Sequence, residues 1–209
     1  MEIRWKLTDE NDRTYNRTQW GLNVTHEAPG TGDLCTSGWI HVYTDPLLAV
    51  LLNSIHGNFQ RPHLWKCYVQ GLHIDDKGLK EGWSKVTTVE QVELPNITIT
   101  QRVNFAILCA LEVYKNKEFV IWAEKWFNNL DRSSAAAYAA AANAAIVTAN
   151  VNANVTAAYA AAYAAYAAAN TVANAAYAAA NAVANAAANA AYAANLNLRI
   201  LAKKALTLI

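Results

Sequence analysis

The chain has 209 residues, a net charge of +1 and a sequence pI near 7.7, so no basic surface of the kind that binds nucleic acid is expected. Its three cysteines are an odd number, and the first ten residues contain no apolar signal-peptide core, so we expect free thiols in a reducing cytoplasm. All 8 glycines, 4 prolines and 7 tryptophans precede residue 127, whereas residues 133–198 carry no charge and hold 36 alanines, 11 asparagines and 6 tyrosines.

The first part of the chain predicts strands that are followed by helices. Four segments have strand character: residues 2–7, 39–43, 64–69 and 86–94. Asp45 and Pro46 favour a helix start, because aspartate caps free N–H groups and proline gives up an N–H that would lack a partner. Two more helices are predicted, one beginning at Thr98 or Thr100 and one at Glu118. The fold class that this order predicts is α+β, a small mixed N-terminal α/β domain with helices after it.

The end of the chain predicts an alanine-rich helical region. Ser133, or Asp131 before it, can cap its first helix. Residues 147–156 alternate β-branched residues and asparagine with alanine, which disfavours helix, so a turn is expected there. Beyond it, one helix can run nearly to the chain end or restart at Asn170. We therefore predict two domains, a tryptophan-rich α+β domain over residues 1–131 and a helical region over residues 132–209.

Tyrosine and asparagine share one face of the predicted tail helix, and alanine covers the opposite face. Bare alanine lets another helix approach closely, while tyrosine and asparagine offer rigid contact area and amide groups typical of binding surfaces. No charge on the tail opposes self-association, so we predict packing on itself, on its own domain or on other copies. The alternatives are a simple spacer and recognition of another surface by the tyrosine and asparagine face. The predicted assembly face consists of Tyr159, Tyr163, Tyr166, Asn170, Asn174, Tyr177, Asn181 and Asn185. No membrane span is expected, since the longest stretch without asparagine, residues 155–169, is too short.

Aromatic residues and histidines around the glycine-rich loop predict a small-ligand pocket. Functional side chains often lie on loops that a rigid scaffold holds. The predicted ligand-binding residues are Trp20, His26, Trp39, His41 and Tyr43. The same aromatic residues are also what a hydrophobic core would use. A zinc site is a weaker alternative, because no paired ligand motif accompanies its candidates, so no metal is expected. Those candidates are His26, Cys35, His41 and Cys67.

Several segments resemble a group of uncharacterised phage and prophage proteins that end in alanine-rich tails. The segments are GDLC at 32–35, GWIHVYTDPLLAVLLN at 38–53, QRVNFAILCA at 101–110 and DRS at 131–133. The likeness covers most of residues 5–135. It implies a virus-encoded accessory protein in a bacterial cytoplasm, with a host or viral protein as a partner.

A second likeness is to ADP-ribosyltransferase folds, which combine a Gly-x-His/Tyr strand with a late Gln-x-Glu motif. Residues 38–49 and the Gln91-Val92-Glu93 segment are similar to these motifs. The resemblance implies NAD as a cofactor, Glu93 as the catalytic acid, and His41 or Tyr43 as residues that line the pocket.

Three functional hypotheses follow. The first is a non-enzymatic accessory protein whose N-terminal domain binds a protein or small ligand and whose helices form a homo-oligomer. The second is an active or degenerate NAD-binding transferase, and the third is a purely structural assembly protein. The transferase hypothesis requires Glu93 within reach of His41 or Tyr43 across one cleft. Under the other two hypotheses, no cofactor is expected.

Overall fold

The computed structural model describes residues 2–150, 155–169 and 176–208. The chain forms two compact units, Met1–Asn96 and Ile97–Ile209. The first unit contains all the described strands and the second contains long helices, which confirms the predicted α+β fold. The units divide at residue 96 rather than at the predicted residue 131, because the helices that follow residue 97 pack with the alanine-rich helices.

The first unit is a β-sheet with one short helix on it. Its strands are β1 (Glu2–Thr8), β2 (Arg13–Thr14), β3 (Thr18–Gln19), β4 (Thr25–Glu27), β5 (Ile40–Val42), β6 (His63–Asp75) and β7 (Glu81–Val92). The helix is α1 (Pro46–Leu52), and the Asp45 carboxylate caps it by accepting a hydrogen bond from the backbone N–H of Leu47. All four predicted strand segments are present. The third and fourth extend into one long β6–β7 hairpin.

The sheet closes on itself. Strand β6 pairs with β1 and β7, and β7 pairs with β4 and β5 along its other edge, all antiparallel. Tyr43, directly after β5, then exchanges two backbone hydrogen bonds of 2.9 and 2.7 Å with Trp5 of β1. This bridge connects the two sides of the sheet and gives β1 an interior face as well as an outer face.

Part of the closed sheet is buried on both faces. The interior holds a hydrophobic cluster of Trp20, Val42, Cys67, Val69, Trp83 and Val86. On the outer face, Leu7 and Leu64 lie directly opposite each other across β1 and β6, and both are buried. Helix α1 packs on β1 and buries Leu48, Leu51 and Leu52. A strand buried on both faces has no side on which a charged residue reaches water freely.

The second unit contains six described helices. They are α2 (Ile99–Val113), α3 (Lys117–Phe127), α4 (Ser134–Asn150), α5 (Val155–Ala169), α6 (Ala176–Ala193) and α7 (Leu198–Thr207). Thr98 caps α2 in a reciprocal capping box with Gln101, which confirms the first of the two predicted start sites. The hydroxyl of Ser133 accepts a hydrogen bond from Ala136 N at the start of α4, also as predicted.

Helix α2 is the centre of this unit. Eight consecutive residues, from Val103 to Ala110, are buried, so α2 needs apolar cover on every side. Helices α5, α6 and α7 supply it, and alanine allows α5 and α6 to approach closely. The one polar residue of that run, Asn104, accepts a hydrogen bond from Trp126 Nε1 at 3.0 Å and donates one to the Leu208 carbonyl at 3.2 Å.

The alanine-rich region forms separate helices. Helices α5 and α6 pack against each other, so they are not parts of one continuous helix, and the four residues 194–197 separate α6 from α7. Packing side by side buries alanine faces that one long helix would expose. Helix α4 extends to Asn150, and the rest of the predicted break before Val155, residues 151–154, lies outside the described residues. Among the described helices, none combines the length and the apolar character that crossing a bilayer requires.

Candidate functional site

The five residues predicted to form a pocket lie in two groups, because successive residues of a strand point to opposite faces. Trp20 is in the interior cluster, against which Ile40 also packs. His41 and Tyr43 alternate with Ile40 and Val42 along the strand and therefore point to the other face. The structure thus does not assemble one pocket from the predicted set.

The inner group combines an indole, an imidazole and an ammonium. The Trp20 and His26 rings meet edge to face with centroids 4.6 Å apart, and His26 Nε2 donates to the Gln19 carbonyl at 2.8 Å. Lys6 Nζ lies 4.5 Å from the centroid of the Trp20 ring and donates to the His41 carbonyl at 3.0 Å. Burial lowers the pKa of Lys6 to about 8, while its proximity to Cys67 acts in the opposite direction. The face of the Trp20 indole and the His41 carbonyl thus replace the water molecules that would surround the Lys6 ammonium if it were exposed.

The outer group, which we call the histidine cluster, is a set of polar side chains around the junction of β5 and β7. Its members are Cys35, His41, Tyr43, His56 and Lys80. His41 Nε2 donates to the Leu34 carbonyl at 2.5 Å, and the Tyr43 hydroxyl shares a 3.1 Å hydrogen bond with His56 Nδ1. Lys80 Nζ donates to the sulfur of Cys35 at 3.4 Å. The Tyr43 and Lys80 side chains are buried, whereas Cys35 is exposed.

Both histidines of this cluster are neutral at pH 7. Burial lowers the pKa of His56 to about 3, and the charges of Lys80 and His41 add to the effect. Burial also lowers the pKa of His41, while its bond to the Leu34 carbonyl and the Asp76 carboxylate oppose the charges of Lys80 and Lys6. Burial raises the pKa of the Tyr43 hydroxyl, which therefore stays protonated. The positive charge next to Cys35 is thus that of Lys80.

Trp39 holds the loop that carries Cys35. Its indole N–H donates to the Gly32 carbonyl at 2.8 Å, and its side chain lies against Gly82 of β7. A Cβ on Gly82 would come within 2.4 Å of Leu34 and 2.8 Å of Trp39, so glycine at this position lets the loop lie directly on the strand. Trp39 therefore positions the loop.

Glu93 does not join His41 or Tyr43. It is exposed and follows the last residue of β7, whereas His41 pairs with Gly82, the second residue of that strand. The cleft that the transferase resemblance requires is not formed. Among the described residues, no three histidine, cysteine, aspartate or glutamate side chains are grouped so that they could hold a metal ion, and the zinc candidates are not brought together.

Part of the predicted assembly face forms an exposed row on α5. Tyr159, Tyr163 and Tyr166 are 47%, 36% and 41% exposed, whereas the α5 alanines between them are buried. Tyr138 of α4 is 51% exposed, and its ring lies 6.3 Å from that of Tyr166 in an edge-to-face contact. We call these four residues the tyrosine stripe. The stripe lies within the uncharged segment, residues 133–198.

The asparagines of the predicted face do not extend the stripe. Asn181 and Asn185 lie on α6, a separate helix, and are only partly exposed. Asn185 Nδ2 donates to the Asn181 carbonyl at 2.9 Å, and Asn189 repeats this bond to Asn185, so these amides bond to their own helix. Asn170, Asn174 and the Tyr177 side chain lie outside the described residues.

Sequence reasoning missed Lys6, His56 and Lys80. In β1, Arg4, Lys6 and Thr8 alternate with Trp5 and Leu7, a pattern that ordinarily assigns the charged residues to solvent. Only closure of the sheet buries Lys6. No local signal marks Lys80, which lies at the end of a turn and is buried against Cys35, a residue distant in sequence.

Comparisons with protein families, with curated proteins and with solved structures found no match. The likenesses to phage proteins and to ADP-ribosyltransferases therefore stay predictions.

Proposed function

We propose that this protein is a non-enzymatic accessory protein, of the virus-encoded type, whose N-terminal unit binds a ligand or protein and whose helical unit assembles copies of the chain. The observation that carries the proposal is the tyrosine stripe. Tyr159, Tyr163 and Tyr166 recur at spacings of four and three, so they follow one side of α5 over about 10 Å. Tyr138 widens the row from the neighbouring helix.

The chemistry of the stripe favours a second copy of the chain as its occupant. Tyrosine rings are large and lose little conformational entropy on binding, and they pair well with other aromatic rings. The segment that carries the stripe contains alanine and asparagine and no charged residue, so its own side chains give two copies no charge to repel or to bury. A partner with a charged surface would lose hydration there without gaining a counter-charge.

Assembly should be tested on the full chain rather than on a truncated one. Removal of everything after residue 132 would take α5, α6 and α7 away from α2 and expose its apolar sides. Light scattering over a range of concentrations should show a mass above the 22.8 kDa of one chain. Tyr163→Lys places a charge in the middle of the stripe, so this variant should be monomeric under the same conditions.

Tyr15→Lys is the matched control, because Tyr15 is 84% exposed but lies in the first unit. It should assemble like the original chain. A mass of one chain at every concentration, or equal assembly of Tyr163→Lys and Tyr15→Lys, would show that the stripe is not an assembly surface.

A further inference from the structure

The three cysteines have very different surroundings. Cys67 and Cys109 are buried, and burial raises the pKa of the Cys67 thiol to about 12 and that of Cys109 well above its ordinary value. At neutral pH both stay protonated and shielded from reagents. Cys35 is exposed on the loop before β5. Only one of the three thiols is therefore accessible to a dissolved reactant.

A buried ammonium lies next to that one accessible thiol. Lys80 is only 8% exposed, and its Nζ donates to Cys35 Sγ at 3.4 Å. None of the ion pairs among the described residues includes Lys80. A largely desolvated cation that forms none of these ion pairs favours a negative charge on the group it faces, and here that group is a sulfur. Cationic neighbours of this kind are what make a cysteine nucleophilic.

The rest of the histidine cluster does not supply a competing charge. His41 and His56 are neutral at pH 7, and the hydroxyl of Tyr43 stays protonated. The carboxylate that acts on His41 is Asp76, at the turn before β7. The cluster thus combines one cation in contact with sulfur and neutral side chains behind it, and the neighbouring carboxylate is that of Asp76.

The loop holds the sulfur in place. His41 Nε2 donates to the carbonyl of Leu34, and the hydroxyl of Thr36 donates to the Asp33 carbonyl at 2.7 Å. Hydrogen bonds therefore hold both sequence neighbours of Cys35. Farther out, Gly30 N donates to the Gly38 carbonyl at 2.8 Å and joins the two ends of the loop. A nucleophile on a loop held in this way is already oriented before a reactant arrives.

We propose that Cys35 is a nucleophilic thiol that forms mixed disulfides with low-molecular-weight disulfides, with Lys80 stabilising its thiolate. The thiolate attacks one sulfur of the disulfide R–S–S–R. The S–S bond of the reactant breaks as a bond forms between Cys35 Sγ and one of its sulfurs. The other sulfur leaves into solvent as the thiolate R–S⁻, so one disulfide replaces another and no external oxidant is needed. The site therefore serves for covalent modification of the N-terminal unit and is independent of the tyrosine stripe.

An aromatic disulfide that releases a coloured thiolate tests the proposal on the full chain. One thiol per native chain should react, and peptide mapping should place it at Cys35. At pH 7 it should react about ten times faster than the cysteine of a free peptide with the sequence of residues 31–38. A rate equal to or below that of the peptide overturns the proposal without any variant.

Two lysine variants then test the role of the ammonium. Lys80→Met should lower the Cys35 rate towards that of the peptide, whereas Lys77→Met, which removes an exposed lysine from the same turn, should leave it unchanged. Continued protection of Cys67 and Cys109 shows that Lys80→Met is folded. Equal rates for the two variants would assign no role to Lys80. If Lys80→Met unfolds, the proposal is judged by the reaction rate of Cys35 in the original chain relative to that of the free peptide.

Discussion

The two units of this protein fill their interiors in different ways. The first unit buries tryptophans together with polar and charged side chains such as Lys6, Lys80 and Glu81, each placed by a particular partner. The second unit packs alanine-rich helices around one apolar helix, although α3 also buries Phe119, Trp122 and Trp126. Among its described residues, the buried polar exception is Asn104. The first interior depends on specific contacts of large and charged groups, whereas the alanine-rich helices of the second depend on close approach of small side chains. The two should therefore respond differently to changes in volume and in charge.

The largest effect is expected from lost volume in the first unit. Leu51 of α1 is 1% exposed, so Leu51→Ala should lower the free energy of unfolding by about 2–5 kcal/mol through lost burial and a cavity. Urea unfolding measures the loss, and hydrogen exchange shows whether the weakened amides lie in residues 1–96. Leu22→Ala, at a position that is 68% exposed, should change stability by less than about 0.5 kcal/mol. Equal effects at the two sites would contradict the assignment of Leu51 to the core.

Added volume should be the sensitive change in the second unit. Ala164 of α5 is fully buried among neighbouring helices, so Ala164→Leu should destabilise by about 1–3 kcal/mol because the helices must separate. The exposed Ala142 of α4 provides the control, since leucine there meets solvent and should be tolerated. Thermal unfolding of both variants distinguishes close alanine packing from a loose arrangement, in which neither change would matter.

Charge should matter most inside the closed sheet. The pKa of Lys6 is lowered to about 8 from an ordinary value of 10.5, so between these pH values the unfolded chain binds more protons than the folded chain. The cost of burying the cation is complete below pH 8 and disappears as the pH rises to 10.5. Lys6→Met should therefore stabilise the protein by about 1–2 kcal/mol at pH 7. The advantage should shrink across that pH window.

Comparing the variant with the original chain at each pH isolates the contribution of Lys6. The isolation is needed because the raised pKa of Cys67 makes stability fall above pH 9 in both proteins. A difference that stays constant from pH 7 to pH 10 would show that Lys6 is not a buried cation.

The smallest effect concerns the point at which the second unit begins. Thr98→Ala removes the capping box of α2 and should cost about 1 kcal/mol, whereas Thr98→Ser keeps the hydroxyl and most of the stability. Hydrogen exchange should locate the loss within residues 97–209. A loss spread equally over residues 1–96 would mean that the two units do not unfold separately.

Local patterns were enough to predict most of the elements. The Asp45-Pro46 pair marked α1, Thr98 marked α2, and Ser133 marked α4, because capping depends on side chains within a few residues of the helix start. The predicted apolar spacing of α3 also agrees with its buried residues, which are Phe119, Trp122, Ala123 and Trp126. The candidate site was only partly predictable. His41, Tyr43 and Trp39 were identified, but their partners His56 and Lys80 lie elsewhere in the chain.

The sequence by itself determined the α+β class, the helix starts and the uncharged tyrosine- and alanine-rich surface, because these follow from residue type and spacing over a few turns. The tertiary structure alone decided the division at residue 96, since α2 takes its cover from helices that come much later in the chain. It also decided the burial of Lys6 and the contact between Lys80 and Cys35. Both result from a bridge between Trp5 and Tyr43 and from a loop laid on β7, contacts that join residues far apart in sequence.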